Sequence, residues 1–250
     1  MLEPVPTLRE WLREGPFALA MSSGFFGFFA HAGVVSVLEA EGLLPTEATG
    51  SSAGALVTGL WSAGVGAATL RQELSRLTRA DFWDPGVGLG LLRGHAFRAQ
   101  LRRMIPYDDF ASTRMKQYVS VFDPLARCTR VLCKGQLSRA ISASCAVPGL
   151  FHPVRIDGRS YLDGGVLDRP GIAGIGDGTR CLYHHLASKS PWRAMAPTIP
   201  KRSNLVAVVL PDLPRSGPFR LDAGVQAMGE AEGRFARALD ARVHLCPIVA

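Results

Sequence analysis

Two short motifs contain residues whose types and spacing could carry out nucleophilic chemistry. The first is GSSAG at residues 50–54, a GxSxG pattern in which Ser52 occupies the nucleophile position. A serine on a sharp strand-to-helix turn projects its hydroxyl while the backbone crowds around it, so its neighbours must be small. Every other residue of this motif is small. The pattern therefore predicts Ser52 as a nucleophile, with Gly50 and Gly54 forming the nucleophile elbow.

The second motif is Asp163-Gly164-Gly165, which follows a short apolar segment. An aspartate followed by two glycines is typical of a tight turn at the end of a strand. Because the glycines of such a turn have no side chains, the carboxylate can approach a serine closely and take the proton of its hydroxyl. The same three residues also fit an ordinary hairpin turn. Alone, the motif does not distinguish a catalytic base from a structural turn.

Histidine is the usual base beside a serine nucleophile, and it provides an alternative. In hydrolases with a GxSxG elbow the triad follows the chain order serine, acid, histidine. His184 and His244 both lie far enough along the chain to serve. A Ser–His–Asp esterase therefore remains open beside a Ser–Asp pair. The other histidines are His31, His95, His152 and His185.

A third stretch, SSGFFG at residues 22–27, lies inside an uncharged run of 22 residues from 17 to 38. A second uncharged run covers the 23 residues from 48 to 70. Both are long enough to span a bilayer. The Ser-Gly interruptions are poor helix formers, and His31 would lie unpartnered in the membrane. A dinucleotide-binding loop, with Glu47 as the ribose-binding acid, lacks one of its three glycines. Neither alternative is favoured.

Dividing each run at its glycines gives strands at 17–21 and 46–50 and helices at 29–41 and 54–63. This strand–loop–helix repeat predicts an α/β fold with a mostly parallel sheet. A glycine-rich loop is predicted at residues 84–94 and a surface loop at residues 187–203. Residues 1–250 are predicted to form one domain. Further helices are predicted at 71–79, 96–104, 138–145 and 223–242, and further strands at 117–122, 129–133, 180–184, 204–210 and 243–249.

The formal charge of +7 and the pI near 9.5 predict a basic surface. No basic run is interleaved with aromatic residues, so a nucleic-acid partner is not predicted. Residues 71–116 contain nine basic and five acidic residues, which fits binding to an anionic membrane surface or an ordinary solvated face.

No cluster has metal-ligand spacing and no P-loop lysine occurs, so no metal or cofactor is predicted. The charged, proline-containing first 15 residues do not form a signal peptide, which predicts a cytoplasmic protein or one in peripheral contact with a membrane.

The glycine loop, the GxSxG and the late Asp-Gly-Gly occur in an order that resembles the patatin-like phospholipase family. The stretch SRAISASCAVPGLFHPVRIDGRSYLDGGVLDRP at residues 138–170 is similar to that family's helix, Pro-Gly-Phe-x-Pro segment and Asp-Gly-Gly loop. The resemblance covers about residues 17–171. It implies a three-layer α/β/α sandwich and a hydrolase that cleaves acyl esters of phospholipids or other lipids. It also implies a catalytic dyad of Ser52 and Asp163, with Gly164 and Gly165 in the acid loop.

The resemblance further implies that residues 22–27 form an oxyanion loop, with Gly24, Phe25 and Gly27 at the oxyanion hole. Two residues depart from the family pattern, since Ser22 replaces its first glycine and Phe26 its usual basic residue. A catalytically decayed relative that binds lipid or a partner is therefore a further alternative. Four phenylalanines in and after the loop predict part of an acyl-chain site: Phe25, Phe26, Phe28 and Phe29. The head group, acyl-chain preference and oligomeric state are not predicted.

Overall fold

The computed structural model describes residues 5–187, 199–243 and 247–250. The helices are α1 (Leu8–Arg13), α2 (Phe28–Ala40), α3 (Ala53–Ser62), α4 (Ala67–Arg76), α5 (His95–Met104), α6 (Leu137–Ser144) and α7 (Leu221–Ala238). The strands are β1 (Ala18–Met21), β2 (Glu47–Ser51), β3 (Gly90–Leu92), β4 (Lys116–Asp123), β5 (Cys128–Leu132), β6 (Gly149–Phe151), β7 (Val154–Ile156), β8 (Arg159–Asp163), β9 (Cys181–His185), β10 (Leu205–Val209) and β11 (Ile248–Val249).

One mostly parallel sheet runs in the order β11-β10-β9-β1-β2-β4-β8-β7. β2 and β8 pair with successive parts of one edge of β4, and β5 pairs with the opposite edge. The strands from β11 to β4 are all parallel, whereas β5, β7 and β8 pair antiparallel. Short β3 and β6 form a separate parallel pair. The predicted α/β fold with a mostly parallel sheet is therefore confirmed.

The register of β4 brings the two predicted catalytic segments to one place. Ser51, the last residue of β2, lies opposite Ser120, and Asp163, the last residue of β8, lies opposite Val121. β5 occupies the other edge of β4, so β8 pairs with β4 where β2 ends. The chain ends of β2 and β8 therefore meet beside one another, although they are more than 100 residues apart in sequence.

The central strands are buried on both faces, which explains why β1 is apolar throughout. Leu19 and Met21 pack with the apolar faces of the helices in the larger core. Ala18 and Ala20 belong to a second core on the opposite side of β1, where Ile172 and Ile175 from the segment after β8 cover the sheet. A strand covered on both faces has no need of polar alternation.

Most predicted elements are observed with bounds shifted by a few residues, and three differences stand out. The helix predicted at 71–79 begins earlier, as α4 at Ala67, and ends at Arg76. The glycine-rich loop at 84–94 contains β3. The strand predicted at 243–249 is confined to Ile248–Val249, and residues 244–246 of that prediction lie outside the described residues. The predicted surface loop at 187–203 also falls mostly outside them, at residues 188–198.

Neither uncharged run forms a membrane-spanning helix. Across the described ranges, no helix is both long enough and apolar enough to cross a bilayer. Each run instead divides between a sheet strand and a buried helix, as the glycine positions predicted.

Candidate active site

Ser52 lies on a sharp turn between β2 and α3. Its backbone adopts φ 51° and ψ −115°, outside the regions that L-residues ordinarily occupy. Such a conformation costs on the order of 1–3 kcal/mol, and it persists only where the surroundings hold it. This strained strand-to-helix turn is the structural context that a GxSxG nucleophile requires.

The two outer glycines of the motif allow the turn to close. A Cβ on Gly50 would overlap the backbone of Gly54 and Ala55, and a Cβ on Gly54 would overlap the carbonyl group of Met21 in β1. Neither glycine has a positive φ. They are therefore required for close backbone approach between β1, β2 and the first turn of α3.

The end of α6 holds the backbone of Ser52 on both sides. The Ser52 N–H donates to Ser144 Oγ at 2.8 Å, and the Ser144 hydroxyl donates in turn to the Ser120 carbonyl of β4 at 2.6 Å. The Cys145 thiol donates to the Ser52 carbonyl at 3.3 Å. Two adjacent residues of α6 and its cap thus fix a strained turn 92 positions away in sequence.

We expect Ser144→Ala to lower kcat by about 10- to 100-fold with little change in KM, because a misplaced nucleophile loses rate steeply. The half-buried Ser52 N–H would also lose its acceptor, which costs about 1 kcal/mol of unfolding free energy. The matched control is Ser142→Ala, since the Ser142 hydroxyl donates only to the Ser138 carbonyl within α6. Steady-state kinetics and urea denaturation would measure both effects. Equal kcat values for the two variants would contradict the positioning role.

Asp163 ends β8 and opens a short 3-10 turn, Gly164–Val166. Its Oδ1 accepts the Gly165 N–H at 2.7 Å, and its own N–H donates to the Ala146 carbonyl at 2.9 Å. The side chain is almost fully buried. These contacts aim the carboxylate from a rigid turn into the interior.

The two glycines after Asp163 bring this turn against the other two motifs. A Cβ on Gly164 would overlap the Ser120 carbonyl and the Ser51 hydroxyl. A Cβ on Gly165 would overlap the side chain of Ser23 in the glycine loop. The predicted acid loop therefore packs directly against the predicted elbow and the predicted oxyanion loop, which only glycine permits.

Ser52, Asp163 and Cys145 line the same cavity. Burial raises the pKa of the Cys145 thiol well above its usual range, and the nearby negative charge of Asp163 raises it further. The same thiol contacts the Ser52 carbonyl. Cys145 is therefore a neutral thiol that links the two sides of the site, and it is not an activated nucleophile.

The glycine loop turns tightly before α2. The Gly27 N–H donates to the Gly24 carbonyl at 3.0 Å, so this group is already engaged. Within the described part of the chain, the N–H groups of Gly24 and Phe25 have no acceptor. A Cβ on either Gly24 or Gly27 would overlap the side chain of Leu186, which packs across the loop just after β9. The glycines thus admit Leu186, a contact that the sequence did not predict.

The two departures from the family pattern are both accommodated by the fold. Ser22 is fully buried, and its hydroxyl accepts the Leu186 N–H at 2.9 Å. Phe26 adopts φ 55°, a left-handed conformation that is unusual for an aromatic residue. Its ring packs edge-on against Phe82 at 5.6 Å. The loop is therefore built around these two residues.

A buried histidine pair supports the start of the glycine loop. His31 Nε2 contacts the Ser22 carbonyl at 2.8 Å, so it carries the proton, and His31 Nδ1 contacts His184 Nδ1 at 2.8 Å. Burial lowers the pKa of His31 to about 4, with a further contribution from the positive charge of protonated His185. Burial likewise holds the pKa of His184 well below its usual range. Both rings are therefore neutral at physiological pH and act as structural hydrogen-bonding groups.

We expect stability to decrease in acid because of this pair. In the unfolded chain His31 binds a proton near its ordinary pKa of 6.5, whereas in the folded protein it does so only near 4. Between those values the unfolded state binds more protons, so the unfolding free energy falls as pH falls, by up to about 1.4 kcal/mol per pH unit for one histidine. Urea denaturation from pH 7 to pH 4 should show a shallower decrease for His31→Gln than for the control His95→Gln, which changes an exposed histidine. Parallel profiles for the two variants would contradict this account.

Asp168 is a second buried carboxylate near the site, and sequence reasoning missed it. It accepts the Ser120 hydroxyl at 2.6 Å and the backbone N–H groups of Gly171, Ile172 and Ala173. Four donors satisfy a buried negative charge without a cation. Asp168 therefore fixes the segment that covers the second face of the sheet, and the only sequence signal for it was its position shortly after Asp163.

A cavity of about 860 Å³ opens from the two motifs and is predominantly apolar. Its walls include all four predicted phenylalanines: Phe25, Phe26, Phe28 and Phe29. The remaining wall comes mostly from α3, α4, α5, β6 and the loops beside them, including Leu60, Leu74, Phe82, Leu101 and Phe151. No histidine of the described residues lines it. Across those same residues, no group of three or more His, Cys, Asp or Glu side chains could hold a metal ion.

Comparison with known proteins decides the family. A model of the patatin-like phospholipase family matches residues 19–173, more than half of the chain. The chain belongs to the patatin-like phospholipase family. The matched segment contains the glycine loop, the elbow and the acid loop of this patatin-like protein.

Relatives and solved structures agree with this assignment. The patatin-like chain is 32% identical over 154 residues to uncharacterized NTE family proteins of Mycobacterium bovis and Mycobacterium tuberculosis. That match covers 60% of this chain and 43% of the relatives, so it spans less than half of their length. The fold is similar to the crystal structure of VipD from Legionella pneumophila, with a TM-score of 0.64 at 13% identity over 91% of this chain and 67% of VipD.

Proposed function

We propose that this protein is a serine lipid acyl hydrolase in which Ser52 is the nucleophile and Asp163 the base. One observation carries the proposal. A strained elbow serine and a buried carboxylate line the same apolar cavity, at the adjacent ends of two strands. The family assignment adds lipid esters as the substrate class.

The chemistry follows from these positions. Asp163 takes the proton of the Ser52 hydroxyl as its oxygen attacks the ester carbonyl carbon, and a tetrahedral oxyanion forms. The N–H groups of Gly24 and Phe25 are the groups available to donate to that oxyanion, and one such donor lowers a barrier by about 3 kcal/mol. The alcohol leaves with the proton from Asp163. Asp163 then takes a proton from water as the water oxygen attacks the acyl-enzyme, and it returns that proton to the Ser52 oxygen as the fatty acid leaves.

The arrangement of the histidines favours this dyad over a Ser–His–Asp triad. His184, the candidate base of the triad, is fully buried and contacts His31. Burial also keeps His184 neutral, and the ring does not line the cavity. His152 contacts the Gly90 carbonyl. His244, the other candidate, lies outside the described residues, so it is included in the tests below.

The apolar cavity favours an enzyme over a decayed relative with no substrate. Both departures in the glycine loop are accommodated, since Ser22 is hydrogen-bonded and Phe26 packs in the wall. The loop retains two N–H groups available to an oxyanion. A cavity of about 860 Å³ is of the size that small-molecule sites usually have, and its apolar walls fit a fatty acyl chain. The domain proposed to carry this activity is the whole chain of residues 1–250, with no cofactor.

We expect Phe82→Ala to discriminate against long acyl chains. Phe82 is nearly buried in the cavity wall and faces Phe26, so the variant removes apolar contact surface for a chain. The kcat/KM for a dodecanoyl ester should fall by about three- to tenfold while that for an acetyl ester is unchanged. Steady-state kinetics on a p-nitrophenyl ester series would measure the ratio. An equal loss on both esters would remove the acyl-chain assignment of this cavity.

The proposal as a whole is tested by turnover and by labelling. Purified protein is assayed on p-nitrophenyl esters of increasing chain length and on a panel of phospholipids, and is treated with a fluorophosphonate probe. We expect ester turnover and covalent labelling at Ser52, located by mass spectrometry of the labelled peptide. Absence of both would favour the non-enzymatic relative.

A further inference from the structure

The loop that leads into β3, together with the first two residues of that strand, has an unusual alternating sequence, Gly86-Val87-Gly88-Leu89-Gly90-Leu91, and is here called the rim loop. Its three apolar side chains are exposed to solvent: Val87 is fully exposed, Leu89 is 81% exposed and Leu91 is 51% exposed. Single exposed apolar residues are ordinary, but a consecutive alternating set on one loop marks an interaction site.

The glycines of the rim loop force these side chains outward. A Cβ on Gly86 would overlap the Arg93 side chain, and a Cβ on Gly88 would overlap the His152 ring. A Cβ on Gly90 would overlap the backbone at Phe151. Every second residue thus lies against the protein, and the residues between them face away from it.

Backbone hydrogen bonds hold the rim loop in this orientation. The Gly86 N–H donates to the Leu91 carbonyl at 3.1 Å, and the Arg93 N–H donates to the Asp84 carbonyl at 3.0 Å. The His152 N–H donates to the Leu92 carbonyl at 2.9 Å. The exposed apolar side chains therefore belong to an ordered, anchored hairpin.

The rim loop lies beside the cavity. Trp83 and Leu92, which flank the loop on either side, both line the cavity wall. Phe219, a further aromatic residue that is 71% exposed, packs against Trp83 at 6.1 Å between ring centres. The apolar residues that face solvent are thus continuous with the apolar residues that line the cavity.

Basic side chains lie beside this apolar surface. Arg79 packs over both Trp83 and Phe219, and Arg93 lies against the rim loop at Gly86. Exposed basic residues on the segments that border it are Arg79, Arg93, Arg215 and Arg220, against two exposed acids, Asp212 and Asp222. The Asp84 carboxylate accepts the N–H groups at the start of α5. Exposed apolar tips beside an excess of arginines fit the hydrocarbon and the anionic head groups of a bilayer.

We infer that the rim loop and Phe219 dock the protein on an anionic lipid bilayer, with the apolar tips entering the head-group boundary and the cavity mouth opening towards the lipid. This inference rests on the proposed function for its purpose, because docking would deliver an acyl chain from the bilayer to Ser52. Binding itself requires no catalysis and is measured separately from it.

The experiment uses the full chain carrying Ser52→Ala, so that vesicles are not consumed. Sedimentation with vesicles of phosphatidylcholine and phosphatidylglycerol in equal parts is compared with vesicles of phosphatidylcholine alone. We expect tighter binding to the anionic vesicles, and weakening by about tenfold or more when Val87→Ser and Leu89→Ser are combined. The control is Leu44→Ser, because Leu44 is 59% exposed just before β2, at the opposite end of that strand from Ser52.

Two further measurements separate docking from folding and from chemistry. With Ser52 restored, the Val87→Ser and Leu89→Ser variant should hydrolyse a soluble acetyl ester at the wild-type rate. Leu89→Trp should give blue-shifted tryptophan emission with anionic vesicles, and brominated lipid should quench it. Unchanged binding of the rim-loop variant, equal loss in Leu44→Ser, or no vesicle binding by any form would overturn the inference. Normal binding without ester turnover would instead overturn the proposed function alone.

Discussion

Replacing Ser52 with alanine is expected to lower kcat by a factor of about 10⁴ or more, because the acyl-enzyme can no longer form. Fluorophosphonate labelling should disappear in the same variant. Folding should be preserved, since the turn is held by the Ser52 backbone through Ser144 and Cys145, and alanine keeps both of those contacts. Kinetics on a p-nitrophenyl ester and the thermal unfolding midpoint would be measured together.

The adjacent serine provides a matched control. Ser51 is fully buried, and among the described residues its hydroxyl has no hydrogen-bond partner. It does not line the cavity. Ser51→Ala should therefore leave both kcat and labelling unchanged, and its unfolding free energy should stay within about 1 kcal/mol of wild type. Loss of activity in Ser51→Ala with retention in Ser52→Ala would move the nucleophile by one residue.

The parts of the fold that follow from local sequence were predictable. Glycines at 24, 27, 50 and 54 divide the uncharged runs, and the strands and helices between them appear within a few residues of their predicted bounds. Burial of β1 on both faces explains why hydropathy alone resembled a membrane span there. Composition is ambiguous at such a strand, and only the positions of the helix breakers resolved it.

The residues that hold the site in place were not predictable, because their roles depend on contacts distant in sequence. In the sequence Ser144 is indistinguishable from an ordinary helix residue. Its role is visible only in the structure, where the end of α6 lies beside the turn at Ser52. Leu186 follows β9, and nothing local indicates that it packs on the glycine loop. The chain order of the motifs allows His184 as a catalytic base, yet its pairing with His31 gives it a structural position. Sequence motifs indicated the proposed reacting groups, whereas the register of the sheet determined what surrounds them.

The same register accounts for the way in which each motif depends on the others. The acid loop packs on Ser23 and Ser51, and the Ser23 N–H donates to the Arg169 carbonyl just beyond that loop at 2.8 Å. The elbow packs on Met21 at the end of β1. Three turns at neighbouring strand ends thus share their closest contacts, and a bulky substitution in one is expected to displace the other two.

Asp163→Asn is expected to lower kcat by about 10³- to 10⁴-fold, because the amide cannot take the proton of the serine hydroxyl. The acid loop should stay in place, since the asparagine Oδ1 can still accept the Gly165 N–H that Asp163 Oδ1 accepts at 2.7 Å. Combining the change with Ser52→Ala should cost little more than Ser52→Ala alone, because residues that act in one step are not additive.

Histidine variants measured in the same assay distinguish the Ser–Asp dyad from a Ser–His–Asp triad. His152→Gln and His244→Gln should each retain wild-type kcat if Asp163 is the base. His184 is buried against His31, so His184→Gln is expected to lower stability, and its kcat is compared at a temperature where it remains folded. Activity that survives Asp163→Asn and disappears in one histidine variant would assign the base to that histidine. Loss confined to Ser52 and Asp163 would mean that a carboxylate alone takes the proton in this apolar cavity.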